Sequence, residues 1–256
     1  MQNLDARIGT ALADICEAAG DLVRPLWNSS VAVHRKADDS PVTEADHRAE
    51  AMILERLARL LPDLPVVSEE HASVFGAPER IGGTFLLVDP IDGTKAFVRG
   101  DPNFTVNIGL VVAGVPIAGA VTAPATCETW FTCEAGALKR THGGAPVLVS
   151  ARVWPSGAAV ALISHTMKAE TLQGLRDRFG FHHAEAMDSS IKFCRLAEGA
   201  ADIYPRLGST MEWDIAAGHA VLAAAGGRVE TEDGRPFLYG KASEGFRNGP
   251  FVARGR

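Results

Sequence analysis

Hydrophobic positions along this chain follow two periods, and the places where one gives way to the other outline its elements. Over residues 4–26, Ile8, Leu12, Ile15, Cys16, Ala19 and Leu22 or Val23 recur near i, i+3, i+4 and i+7 spacing. That spacing predicts an amphipathic helix ending close to Pro25. Val31, Val33 and Arg35 alternate as a short strand would. Ser40-Pro41 marks a turn, and Thr43 is placed to cap a helix reaching about residue 61, with Ala49, Ile53, Leu57 and Leu60 on one face. Residues 64–67 read as a brief strand ending in Ser68-Glu69-Glu70. Residues 71–83, rich in Gly, Pro and charge, read as a loop. Then comes FLLVDPIDGT at 85–94, an apolar run that ends in a tight acidic turn.

Residues 105–112, 117–121, 128–133 and 136–139 predict an antiparallel meander, with a turn at Gly114-Val115-Pro116. A boundary is expected at 142–146, HGGAP, followed by Val147-Leu148-Val149. Beyond it, strands at 158–163, 181–184, 201–204 and around Val229 alternate with helices. The helices span 168–179, Ser189 or Ser190 to 198, and 213–225, the last closed by Gly226-Gly227. The fold class expected is α+β / α/β: an antiparallel-sheet half, residues 1–145, packed on an α/β half, residues 146–256.

Composition narrows the function classes. The chain has 256 residues, 46% hydrophobic and 22% charged, ordinary for a globular protein. A net charge of −6 argues against a surface built to coat nucleic acid. An acidic protein can still take an anionic substrate if metal ions reverse the local field. Cys16, Cys127, Cys133 and Cys194 form no CxxC pair, so a reduced state without zinc is expected. The opening residues do not read as a signal peptide, and no apolar run reaches the roughly 18 residues of a bilayer span. The expected location is the cytoplasm. Peripheral association with an inner membrane and the oligomeric state stay open.

Acids gather at three element ends: Glu69-Glu70, Asp89-x-x-Asp92 and Trp213-Asp214. An acidic turn after a buried strand can grip a hard cation such as Mg²⁺, which prefers oxygen ligands. It can equally be a solvated Asp-Gly turn. Asp46 reads as compensating a helix dipole, and Asp214 as a helix cap. The small residues after Asp214, AAGHAVLAAAGG, would let that helix approach its neighbours and plant Asp214 deep in the fold. Lys and Arg are scarce nearby, which makes a metal the reasonable partner for a buried acid.

Taken together, SEE at 68–70, DPIDGT at 89–94 and WDIAAGHAVLAAAGG at 213–227 resemble the inositol monophosphatase superfamily. The stretches 92–111, SHT at 164–166 and 189–208 bring the resemblance closest to the 3'(2'),5'-bisphosphate nucleotidases. In that group the first stretch commonly reads DGTKEF; here Ala96 replaces the glutamate, and the usual tryptophan before Asp89 is missing. The resemblance implies a layered α-β-α-β-α sugar-phosphatase-type fold and two or three Mg²⁺ ions, with inhibition by Li⁺. It implies Glu69, Asp89, Asp92, Asp214 and the Ile91 carbonyl as metal ligands. Asp46 would pair with Thr94 to orient the attacking water, Glu70 assisting. Gly93 and Thr94 would meet phosphate, with His165, Ser190, Lys192 and Arg206 toward the rest of a phosphorylated small molecule, a nucleotide. Lys192 also reads as a solvated helix lysine and Arg206 as a surface turn residue. The expected reaction removes the 3'-phosphate of adenosine 3',5'-bisphosphate to give AMP. The alternatives are an inositol monophosphatase, a histidinol-phosphatase or a related sugar phosphatase, and more remotely an inactive metal- or nucleotide-binding regulator.

Overall fold

The computed structural model describes residues 8–28, 33–36, 41–141 and 143–256. Residues 4–7, Val31, Ser40 and His142, which carry parts of the expected first helix, first strand, turn and boundary, lie outside them. In chain order the elements begin α1 Gly9–Val23, β1 Val33–Arg35, β2 Pro41–Thr43, α2 Glu44–Leu60, β3 Val66–Ser68, α3 Glu69–Phe75, β4 Thr84–Asp92 and α4 Thr94–Val98. The meander follows as β5 Thr105–Val112, β6 Val115–Ala123, β7 Glu128–Cys133, β8 Gly136–Thr141 and β9 Val147–Val149. Then come β10 Val160–Ile163, α5 Ala169–Phe179, β11 His183–Ala186, α6 Ile191–Ala197 and β12 Ile203–Arg206. The chain finishes with β13 Thr210–Met211, α7 Glu212–Ala224, β14 Arg228–Thr231, β15 Arg247–Asn248 and β16 Phe251–Arg254.

Strand alternation sorts the side chains into layers. Leu86 and Val88 of β4 join α1 and α2 residues in one apolar cluster, while Phe85 and Leu87 join α6 and α7 residues in another. Successive strand side chains point to opposite faces, so β4 is buried on both. It lies second in a seven-stranded sheet of order β3-β4-β5-β6-β7-β8-β9, parallel to β3 and antiparallel to β5. A five-stranded sheet of order β11-β10-β12-β16-β14 repeats the device. Leu162, Tyr204 and Phe251 face the α6–α7 cluster, whereas Ala161, Ile203 and Val252 pack with Leu175 of α5. The layers therefore run α1 and α2, seven-stranded sheet, α6 and α7, five-stranded sheet, α5: the α-β-α-β-α order.

Two local expectations change, and one strand arrives without a sequence signal. Residues 69–75 are helical, although the pattern from residue 71 onward predicts loop. Both oxygens of the Glu50 carboxylate on α2 accept the first free N–H groups of α3, from Glu70 and His71, at 2.9 Å each. A helix start left unsatisfied by its own turn is thus completed from another element. Ser190 stands at the head of α6 without capping it; its hydroxyl instead meets Thr105 Oγ1 at 2.8 Å and Asn107 Oδ1 at 2.6 Å. Finally, β16 lies inside the five-stranded sheet, antiparallel to β12 and β14. Four residues after Gly249-Pro250 carry too little pattern to announce a central strand.

Among the described residues no helix is long and apolar enough to cross a membrane. The close approach of α7 to the large sheet depends on glycine. A Cβ on Gly109 would stand 2.9 Å from Ala217 N, and one on Gly119 would stand 2.7 Å from Ala217 O. Replacing Gly119 with alanine should therefore cost about 1–3 kcal/mol through overpacking. Urea denaturation measures this as a lower midpoint at constant slope; an unchanged midpoint would mean that α7 can retreat freely.

Candidate active site

Sheet register assembles the acids. Ser68 of β3 pairs with Val88 of β4 in parallel, which brings Glu69 level with Asp89. β4 breaks register with β5 between Asp89 and Asp92, and Gly93 then turns the chain in the left-handed region, φ 89° and ψ 36°. Glycine adopts that conformation without a steric penalty. A Cβ there would also stand 3.0 Å from Asn103 O. α7 delivers Asp214 from across the layer. The result is a cavity of about 840 Å³, lined by Glu69, Asp92, Gly93, Thr94 and Asp214 and, from the second sheet's side, His165, Ser190, Lys192 and Arg206.

Each acid has a distinct anchorage. Asp46 is fully buried; its Oδ2 accepts Thr43 N at 2.8 Å and Thr43 Oγ1 at 2.7 Å, while Thr94 Oγ1 stands 3.4 Å from its Oδ1. It therefore completes the cap of α2 and faces Thr94 at once. The Thr94 hydroxyl also lies 3.1 Å from the Ile91 carbonyl. Asp92 Oδ2 accepts Ser190 N, and Asp214 Oδ2 accepts Met211 N at 2.7 Å. Asp214 lies deep among its neighbours, with part of its side chain open to the cavity. Asp89 is buried, and its Oδ1 has no hydrogen-bond partner.

A cation stands among the acids that the sequence pattern does not announce. Lys36 Nζ lies 2.6 Å from Glu69 Oε1 and 2.7 Å from Glu70 Oε1. The same lysine opens the stretch KADDSPVTEAD, where its charge is legible but its target is not. Glu70 Oε2 remains buried without a partner.

Burial and crowding raise the acids' proton affinity. Burial is the main cause of the rise of Asp46 to about 6, against bonds from Thr43, and of Glu70 to about 7, reinforced by Glu69. Asp92 rises to about 6, chiefly through burial, with Lys192 opposing. Asp89 and Asp214 rise well above the carboxylate range, first through burial and then through neighbouring acids.

The residues expected toward the substrate divide. Arg206 lines the cavity, held only by the Gly208 and Ser209 carbonyls at 3.3 and 3.5 Å. His165 is exposed at the cavity, its ring within 4.8 Å of the Asp101 and Asp188 carboxylates. Lys192 is buried and its Nζ donates to Met187 O at 3.0 Å and Ser189 O at 2.7 Å. It is thus not a solvated helix lysine but a brace for the turn that carries Ser190 to Asp92, lining the cavity with one N–H donor left over. The Ser190 hydroxyl is likewise committed to the interior. Sequence reasoning passes over Lys95, Arg99, Asp101 and Asp188, which also line the cavity. Arg99 Nη2 meets Asp188 Oδ2 at 2.8 Å.

The fold and this cleft define a layered α/β protein with clustered acids where two sheets meet. The chain belongs to the inositol monophosphatase family, which residues 6–250 match. It is 37% identical to the 3'(2'),5'-bisphosphate nucleotidase CysQ of Salmonella typhimurium, over 94% of this chain and 98% of that one. It is 33% identical to the histidinol-phosphatase of Mycobacterium tuberculosis, over 91% and 90%. Among solved structures, CysQ from Bacteroides thetaiotaomicron superposes with a TM-score of 0.75 at 32% identity, covering 96% of each chain. The Thermotoga maritima IMPase gives 0.74 at 25% identity, covering 94% of this chain and 89% of that one.

The raised acids set a pH dependence. Asp46 and Glu70 bind protons more tightly folded than unfolded, where they titrate near 3.8 and 4.5. Their contribution to stability is complete below about pH 4 and is lost as pH rises through about 6 and 7. Without divalent metal, the melting temperature should fall across that window. A divalent cation such as Mg²⁺ should restore more of it at pH 8 than at pH 5, since cations favour ionised carboxylates over protonated ones. Melts flat in pH and indifferent to Mg²⁺ would contradict this assignment of the cluster.

Proposed function

We propose that this chain is a Mg²⁺-dependent phosphatase that removes the 3'-phosphate from adenosine 3',5'-bisphosphate and releases AMP. The observation that carries the reading is the mixed lining of one cavity. Glu69, Asp92 and Asp214 share it with Lys95, Arg99 and Arg206, a combination suited to cations at one end of a ligand and phosphate oxygens at the other. The identity to CysQ nucleotidases over nearly the whole chain supports the same substrate class.

The residues fit a hard divalent cation. Glu69, Asp89, Asp92, Asp214 and the Ile91 carbonyl offer oxygen only, and the orphaned, buried Asp89 Oδ1 is an acceptor in want of a positive partner. When bound, Mg²⁺ would supply charge neutralisation, a more acidic water and stabilisation of the departing oxygen. The chain's own residues do the positioning. Asp46, fixed through Oδ2, accepts the Thr94 proton through Oδ1. The Thr94 oxygen then keeps its lone pairs for the attacking water and aligns it for in-line displacement, with no phosphoenzyme. The backbone at Gly93 and Thr94 faces the transferred phosphate. Glu70, poised near neutrality and adjoining Glu69, assists as a proton acceptor. Arg206 takes the second phosphate. The four free cysteines suit a reducing, cytoplasmic setting.

The likeness to a histidinol-phosphatase favours one second reading, the same chemistry on a simple monoester. Phosphate release should be measured with Mg²⁺ on adenosine 3',5'-bisphosphate, inositol 1-phosphate and histidinol phosphate, with Li⁺ titrated alongside. The bisphosphate should have the highest kcat/KM, and Li⁺ should inhibit. A monoester preference would install the second reading, and no turnover of any substrate would leave an inactive binding protein.

Substitutions separate the roles. Asp89→Asn should abolish release from every substrate. Arg206→Ala should raise KM for the bisphosphate about 10-fold or more, the worth of one charge-assisted hydrogen bond, and leave monoesters nearly unchanged. Lys192→Ala should depress all substrates alike, because its amine braces the turn that holds Ser190 against Asp92. Equal losses in Arg206→Ala would remove Arg206 from the substrate site.

A further inference from the structure

A second concavity lies at the other end of the five-stranded sheet. β12 and β16 pair with Ile203 opposite Arg254 and Arg206 opposite Phe251. Arg206 opens on the catalytic cavity, so Arg254 lies about 10 Å along the strands from it, at 3.3 Å per residue. There Arg152, Arg228, Arg254 and Arg256 line a crevice of about 130 Å³, with Asp202 and Trp154. Its volume matches about four waters of liquid, enough for a small ion but not for a nucleoside.

The local charge is unbalanced in a protein whose net charge is −6. Four guanidiniums line the crevice with Asp202, which is already engaged three times, and Glu230 stands beside two of them. Asp202 accepts Arg152 Nε and Nη2 at 2.6 Å each and Val160 N at 2.7 Å. Glu230 serves Arg228 at 3.2 Å, while Arg254 Nε stays 4.0 Å from it, beyond hydrogen-bond range. That Nε is buried and has no hydrogen-bond partner. The Arg254 guanidinium is nonetheless held in place, 5.0 Å from the Phe179 ring, which also carries Arg178 at 4.9 Å. Burial weakens Arg254's hold on its proton; Glu230 opposes this, and Arg228 and Arg178 add to it. A guanidinium with an unpaired donor, beside three further arginines, is the complement of an anion with several acceptor oxygens.

We propose that this crevice is a binding site for a tetrahedral oxyanion, phosphate or sulfate, separate from the catalytic cavity. The site needs no metal, so its test does not depend on the catalytic reading. Thermal melts of the full chain in EDTA report on it, with Arg206→Ala showing whether the anion enters the catalytic cavity instead. Phosphate and sulfate should each raise the melting temperature saturably, by about 2–4 °C. Sodium chloride at matched ionic strength should not.

Arg254→Gln should abolish the shift. Arg228→Gln, at a side chain 52% exposed and so tolerant of substitution, should reduce it severalfold. Arg206→Ala should retain it in full. An equal shift in Arg228→Gln, an equal shift with chloride, loss of the shift in Arg206→Ala, or no shift in the unsubstituted protein would each overturn the proposal. If only one of the two anions shifts the melt, the site belongs to that anion. Phosphorus NMR line broadening of inorganic phosphate, present in the unsubstituted protein and lost in Arg228→Gln, tests the same site should Arg254→Gln fail to fold; broadening unchanged by Arg228→Gln would overturn it.

Discussion

Burial of several carboxylates close together, at the end of β4 and the start of α7, is the constraint around which this molecule is arranged. Burial first, and neighbouring acids after it, raises the proton affinities of Asp89, Asp92 and Asp214, so the charged cluster is costly to hold without a cation. The fold answers with a repeated device: one oxygen of a carboxylate is tied to a backbone N–H. Thr43 N holds Asp46, Ser190 N holds Asp92 and Met211 N holds Asp214. Orientation is thereby settled before any ligand arrives, and the second oxygen is left for chemistry. Preorganisation of this kind lets a site act without reorganising at the moment of reaction.

The anchoring groups come from different parts of the chain, so the layers must stay in register for the site to exist. Two glycines admit the α7 backbone to within contact of β5 and β6, and α7 carries Asp214. The turn before α6, braced by Lys192 on two carbonyls, carries Ser190 N to the end of β4. Glu50 on α2 starts α3, which presents Glu69 and Glu70. A fault in any of these supports would displace an acid without touching it. Stability and catalysis are therefore coupled through backbone geometry more than through the acids themselves.

Much of this is legible along the chain. The apolar run into Asp89 and Asp92, the small-residue helix after Asp214 and the meander all carry strong local patterns, and the layer order follows from them with the family resemblance. Legibility ends where a residue's role depends on a partner distant in sequence. Lys192 and Ser190 look like surface residues at a helix start, yet both point into the interior. Lys36 looks like one charge in a polar stretch, yet it bridges Glu69 and Glu70. The start of residues 71–83 looks like loop because its helix is begun by Glu50, some twenty positions earlier.

The sequence by itself determined which acids and which hydroxyl stand at strand ends and helix starts, because hydrophobic period and turn chemistry are local properties. Tertiary structure alone decided which oxygen of each acid is tied and which is free, and which cations face the cavity and which brace a turn. It also decided that Arg152, Arg228, Arg254 and Arg256, dispersed over a hundred residues, meet at one crevice. Those outcomes depend on strand register and helix approach, where a single residue of slip exchanges one face for the other.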